Sequence, residues 1–151
     1  MQTNDVLQSI RYILNVNEKV LVEIIESAGY LVTLDEMISY LKNEDDLGYE
    51  LCPDEVMAYF LNGLIVYKRK NLEGRTPQPI ETPMTNNIVL KKIRVAFELK
   101  DIDLMSLIEK TSHLKITKSE LSAFFRKADH RNYRNCGDQY LRNILKGLAS
   151  Q

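Results

Sequence analysis

The chain has no tryptophan, only two histidines (His113 and His130), two cysteines and four prolines in 151 residues. Two histidines leave little material for a histidine-built metal centre, and none is expected. The N-terminus, "MQTNDVLQSI", has no basic stretch followed by an apolar core, so it does not read as a secretory signal. Without one, two cysteines read as reduced thiols of a cytoplasmic protein rather than as a disulfide staple. No apolar run approaches the roughly 18–20 residues a membrane helix needs, so no membrane partner is expected. No segment sustains period-two alternation with β-branched enrichment, which argues against a sheet.

What is present is ordinary in bulk and uneven in detail. The 44% hydrophobic and 27% charged content is that of a globular protein, and the length suits one domain or two small ones. The net charge of −1 conceals an asymmetry. Residues 1–66 hold three Lys/Arg against twelve Asp/Glu, a net of −9, whereas residues 86–151 hold thirteen against seven, a net of +6. The halves have opposite electrostatic characters.

They also share an ancestor. "NDVLQSIRYIL" from Asn4 matches "NIVLKKIRVAF" from Asn87. With one extra residue in the second copy, Thr33, Glu36, Asp45, Tyr49, Cys52, Asp54, Leu61, Gly63 and Leu64 correspond to Thr117, Glu120, Asp129, Tyr133, Cys136, Asp138, Leu145, Gly147 and Leu148. Nine identities in register over 32 positions mark a tandem duplication.

Each copy reads as four helices, which makes the predicted fold all-α: two similar four-helix repeats in tandem. In the first copy the apolar stripes are Val6, Leu7, Ile10, Ile13 and Leu14; Val20, Leu21, Ile24, Ile25 and Ala28; Leu34, Met37, Ile38 and Leu41; and Val56, Met57, Phe60, Leu61, Leu64 and Ile65. "TLDE" and "TKSE" are capping boxes that start the third helix of each copy. Gly29 suits a helix C-terminus; Ser112 stands at its place in the second copy. "CPDE" predicts Cys52 as N-cap with Pro53 at the first helical position, and "CGDQ" puts Cys136, Gly137 and Asp138 at the equivalent places. Asp54 and Asp138 then sit in the first turn, where a carboxylate favours the positive end of the helix dipole. Between the copies, residues 67–85 contain Pro77, Pro79 and Pro83 and read as a linker. The expected domains are an acidic repeat over 1–66 and a basic repeat over 86–151.

The motifs "KNEDDLGYELC", "FLNGLI", "SELSAFFRK" and "NYRNCGDQYLRNILKGL", with "NDVLQSIRY" at the start, resemble the YehS-like family of small bacterial proteins. The resemblance covers roughly residues 4–148. It implies a bacterial protein carrying a tandemly duplicated domain of unknown function, with no catalytic or cofactor-binding residues to transfer.

Several residues remain to be weighed for chemistry. A thiol at a helix N-terminus can have a lowered pKa, but neither Cys52 nor Cys136 has a histidine beside it, and Asp54 and Asp138 oppose a thiolate. A buried structural role is the expectation for both, and Tyr49 and Tyr133 recur with them. Arg11 and Arg94 border the core on matched helices and read as structural clamps, with Glu36 or Asp54, and Glu120 or Asp138, as candidate partners. Glu44, Asp45 and Asp46 fit no calcium-loop spacing, and His130 beside Asp129 lacks a nucleophile.

In the basic copy, Lys91, Lys92, Arg126, Lys127, Arg131, Arg134 and Arg142 are candidates for a phosphate-facing surface, with Tyr133 and Tyr140 near it. A pI near 6.1 argues against a committed nucleic-acid binder. The favoured expectation is a non-catalytic, cytoplasmic protein–protein interaction or self-associating adaptor module, without cofactor. Nucleic-acid binding through the second repeat is the alternative.

Overall fold

The computed structural model describes residues 1–69 and 78–151, so Pro77 and the middle of the expected linker lie outside the described residues. Among the described residues there are eight helices and no strand. The chain divides into two compact units, Met1–Met84 and Thr85–Gln151. In the first, α1 spans Thr3–Leu14, α2 Glu18–Ser27, α3 Leu34–Leu41 and α4 Asp54–Lys68. In the second, α5 spans Asn86–Ala96, α6 Asp101–Thr111, α7 Lys118–Phe124 and α8 Asp138–Ala149.

Local chemistry explains most boundaries. Thr33 and Thr117 each accept from the backbone three residues on, while Glu36 and Glu120 reach back, so both capping boxes are formed. Asn17 caps α2 by accepting from Val20 N–H, and Thr85 caps α5 by accepting from Ile88 N–H. Gly29 has φ 102°, the left-handed conformation that glycine takes without a Cβ penalty. Asn15 and Glu98 hold equivalent places after the first helix of each unit, and both have φ 54°. That shared turn ends the first helix and starts the chain towards the second.

One expected cap is corrected. Pro53 and Gly137 are the N-caps of α4 and α8, and the helices begin at Asp54 and Asp138. Cys52 and Cys136 therefore lie one residue outside the cap. Their backbone N–H groups are already engaged by side chains from α1 and α5, which holds each cysteine in the incoming loop rather than at the helix end.

The core of the first unit is built from Leu7, Ile10, Leu21, Ile25, Met37, Met57, Phe60, Leu61 and Leu64; in the second, Leu90, Ile93, Leu104, Ile108, Leu121, Phe124, Leu141 and Ile144 take these roles. Burying each such side chain contributes roughly 1.5–3 kcal/mol. The principal packing in each unit is of the second helix on the fourth, α2 on α4 and α6 on α8. Gly63 and Gly147 mark those crossings: a Cβ on Gly63 would meet the Ile24 carbonyl, and one on Gly147 would meet Leu107. The recurring Asn-Gly-Leu and Lys-Gly-Leu sequences are thus sites of close helix approach.

The stretch 67–85 is not uniform. Tyr67 and Lys68 complete α4. Farther on, Asn62 Nδ2 donates to the carbonyls of Gln78 (3.1 Å) and Pro79 (3.4 Å), and Met84 N–H donates to Asp54 Oδ2 (2.8 Å). Residues 78–84 are thereby tied along α4 from its third turn to its first.

Candidate functional site

The segment joining the third and fourth helices of each unit is irregular, and its buried backbone groups need partners that no helix supplies. One asparagine in the first turn of α1, and its counterpart in α5, provides them. Asn4 Oδ1 accepts from Cys52 N–H at 2.9 Å, and its Nδ2 donates to Tyr40 O at 3.0 Å and Glu50 O at 2.8 Å. Asn87 Oδ1 accepts from Cys136 N–H at 2.9 Å, and its Nδ2 donates to Phe124 O at 3.0 Å and Arg134 O at 2.8 Å. An amide offers one acceptor oxygen and two N–H donors, and each asparagine uses all three. The residue before it completes the hold: Thr3 Oγ1 donates to Cys52 O (2.6 Å) and Asn86 Nδ2 to Cys136 O (2.9 Å). Sequence reasoning aligned Asn4 with Asn87 without assigning them a task. The signal is an asparagine at the start of a helix, retained with three apolar residues and one arginine.

Within these clamps the cysteines face the core. Cys52 is 1% exposed and Cys136 4%, and both are free thiols. Burial pushes both up from 9.0 to about 12. The Asp54 carboxylate adds to the rise at Cys52, while a hydrogen bond with Thr3 partly offsets it. At Cys136 a backbone hydrogen bond from Leu141 offsets the burial and Asp138 adds to it. Both thiols are held neutral and away from solvent, an environment opposite to that of a nucleophilic cysteine.

This has a consequence for alkaline stability. Below pH 9 folded and unfolded chains both keep the thiol protons; above it the unfolded chain releases them first, because the folded groups titrate near 12. Stability therefore falls as pH rises through that window, by up to about 1.4 kcal/mol per pH unit for each thiol. Tyr40, raised by burial and by its neighbours Cys52 and Glu36 from 10.0 to about 12, adds to the fall in the first unit. Urea unfolding across this pH range should show a shallower decline in a Cys52→Ala/Cys136→Ala variant. An equally steep decline there would place the alkaline loss elsewhere.

The arginine partners differ from those expected. Arg11 pairs with Glu18 at 2.8 Å and Arg94 with Asp101 at 2.9 Å. In both units the acid lies seven residues on, in the first turn of the next helix, brought there by the left-handed turn at Asn15 or Glu98. Cation and carboxylate each sit at the helix end whose dipole favours them. Arg94 also stacks over the Phe125 ring, 4.5 Å from its centroid. Glu36 and Glu120 are instead engaged in capping boxes, Asp54 holds Met84, and Asp138 accepts from Asn86. Tyr49 donates through its hydroxyl to Gln2 Oε1 at 3.1 Å, and Tyr133 is half-buried.

The candidate basic surface changes in two places. Lys92 is 3% exposed and is not part of a solvent-facing patch; it occupies the position of Ser9 in the first repeat, on α5 next to core residue Ile93. Arg134 is exposed but pairs with Glu120 at 2.8 Å. Arg126 is half-buried, and Lys91, Lys127, Arg131 and Arg142 are exposed. His130 accepts from Asn132 N–H at 3.0 Å within its turn, and Asp46 likewise accepts from Asn43 N–H at 3.0 Å. Among the described residues no three or more His, Cys, Asp or Glu groups are placed to hold a metal ion, and no helix is long and apolar enough to cross a membrane.

The units differ along the third helix and in the loops on either side of it. Leu31 (79%), Leu34, Ile38, Leu47 (95%) and Leu51 are all exposed. Leu34 and Ile38, four apart, share one face of α3. At the same five positions the second unit carries Lys115, Lys118, Ser122, Arg131 and Asn135. Both units reproduce the asparagine clamp, the capping box and the glycine crossing. The fold therefore forms with or without apolar side chains at these positions.

A family model described as "Protein of unknown function (DUF1456)" matches the chain twice, over residues 3–70 and 86–151. The chain is 41% identical over 151 residues, all of its own length and 96% of the relative's, to "Uncharacterized protein YehS" of Escherichia coli (strain K12). No solved structure matches it.

Proposed function

The chain belongs to the family described as Protein of unknown function (DUF1456), and from that premise we propose that it is a non-catalytic protein-interaction module of the cytoplasm. The observation that carries this reading is the exposed apolar set Leu31, Leu34, Ile38, Leu47 and Leu51 on the first unit, at positions the second unit fills with polar or basic residues. Scattered apolar side chains on a surface need no explanation, but two on one face of α3 with three more in the loops on either side of it are the kind of surface a contact site uses. Its exposed carboxylates, Asp35, Glu44, Asp45 and Glu50, supply a charged rim of the kind that orients a partner. Two unpaired, buried thiols suit a reducing compartment, and their protonated state supports a structural rather than a catalytic use.

A second reading, nucleic-acid binding through the second unit, is favoured by the exposure of Lys127, Arg131 and Arg142. One experiment separates the two. Full-length protein and the variant L34K/I38S/L47R, which carries the second unit's residues, are used as bait in extract from the native bacterium, with and without nuclease. Proteins held by the wild type should fall by about tenfold or more with the variant, equivalent to about 1.4 kcal/mol at this surface, and should survive nuclease. Retention abolished by nuclease and indifferent to the variant would favour the second reading instead.

A further inference from the structure

The duplicated fold presents one pair of equivalent faces twice, and their chemistry is opposite. On the first unit, α3 and its loop combine the exposed apolar side chains with the exposed carboxylates of Asp35, Glu44, Asp45 and Glu50. The cation on this side, Lys42, donates to the carbonyl of Leu47 at 2.8 Å. On the second unit, α7 and its loop expose Lys115, Lys118, Lys127 and Arg131. Three of those four cations replace an apolar residue of the first face: Leu31, Leu34 and Leu47.

We infer that the apolar–acidic α3 face of the first unit binds the basic α7 face of the second unit of another copy of this chain. Lysine and arginine are suited to both components of the first face. Their aliphatic stems cover apolar surface while the charged heads reach beyond it to carboxylates. The net charges of the two repeats, −9 and +6, give the same pairing a long-range attraction that steers encounter. The common backbone frame makes the two faces similar in outline. Each chain offers one face of each kind, so association is head-to-tail: it closes into a ring where the rotation permits and continues into a longer assembly where it does not. This inference rests on the interaction reading above and narrows its partner to the chain itself.

Sedimentation velocity on the full chain tests it. The wild type should associate in a concentration-dependent way at about 50 mM salt and dissociate towards monomer at about 500 mM, where screening shortens to a few ångströms. Reversing the acidic face with Glu44→Lys/Glu50→Arg, or the basic face with Lys118→Glu/Arg131→Glu, should each weaken association by about tenfold or more. All four positions are exposed, and far-ultraviolet circular dichroism establishes that each variant is folded. The decisive arm mixes the two variants. One variant then keeps only the basic face intact and the other only the acidic face, so the mixture should recover association that neither shows alone. A wild type that stays monomeric at low salt to about 100 μM, far above a micromolar dissociation constant, overturns the inference, as does a mixture that fails to recover. The interaction reading fails separately, if the L34K/I38S/L47R bait retains every protein the wild type does.

Discussion

Asn4→Ala should cost the first unit about 3–4 kcal/mol, and Asn87→Ala a similar amount in the second. Each substitution strands one backbone N–H and two backbone carbonyls. The bonds to Cys52 and Tyr40 in one unit, and to Cys136 and Phe124 in the other, are fully buried. A buried group left without its partner costs about 1–3 kcal/mol; partial access of water at Glu50 and Arg134 keeps the total towards the lower end. Urea unfolding by circular dichroism gives the magnitude, and thiol alkylation gives the location. Loosening the Asn4 clamp should expose Cys52 to a thiol reagent while Cys136 stays protected, and Asn87→Ala should do the reverse. Asn4→Asp should fare no better, because it keeps an acceptor for Cys52 N–H but turns a carboxylate towards two carbonyl oxygens. A loss below about 1 kcal/mol in both alanine variants would mean that water replaces the amide and that the clamp is dispensable.

Gly63→Ala should be at least as damaging, and more so than Gly147→Ala. A Cβ at 63 runs into the Ile24 carbonyl oxygen, lies 2.9 Å from its carbon and 3.0 Å from Ile24 Cγ2. Two of these three atoms are backbone, so no rotamer change relieves the clash and α2 must move off α4. A Cβ at 147 meets Leu107 Cδ2 at 2.7 Å, Cβ at 3.2 Å and Cα at 3.4 Å. There the nearest atom is the end of a side chain, which can turn away. Alanine itself favours a helix over glycine by roughly 1 kcal/mol, which offsets part of each clash. The expected net losses are about 3 kcal/mol or more at Gly63 and about 1–2 kcal/mol at Gly147, within the range of overpacked cores. Thermal melts of the two variants side by side check the order. Equal melting temperatures would show that the α2–α4 crossing yields as readily as a side chain.

Elements set by neighbours along the chain were legible before any coordinates. The helical stripes, the Thr33 and Thr117 capping boxes and the Gly29 stop follow from spacing and from local hydrogen bonding, which need only a few adjacent residues. The cysteine placement was off by one residue for the complementary reason. Proline at the first helical position is a sound local rule, but Asn4, some fifty residues away, captures the Cys52 N–H and keeps the backbone extended through Pro53. The Arg11–Glu18 and Arg94–Asp101 pairs had a signal in the shared spacing of seven residues. It goes unnoticed because that spacing brings the two together only across the turn at Asn15 or Glu98, whose left-handed backbone asparagine favours but glutamate does not announce.

Duplication, helix content and the opposed charges of the repeats are therefore properties of the sequence itself, because identity in register, periodicity and charge sum along the chain. Which residues hold the repeats in shape was decided by tertiary structure. An asparagine becomes a clamp only when a distant loop leaves three backbone groups unpaired around it, and a glycine becomes indispensable only where another helix crosses at its Cα. Exposure was decided there as well. Lys92 and Leu34 look from sequence like a surface cation and a leucine of an apolar stripe, and the folded chain buries the first and leaves the second 49% exposed. Side-chain character states a preference for water, whereas packing determines which preferences are met.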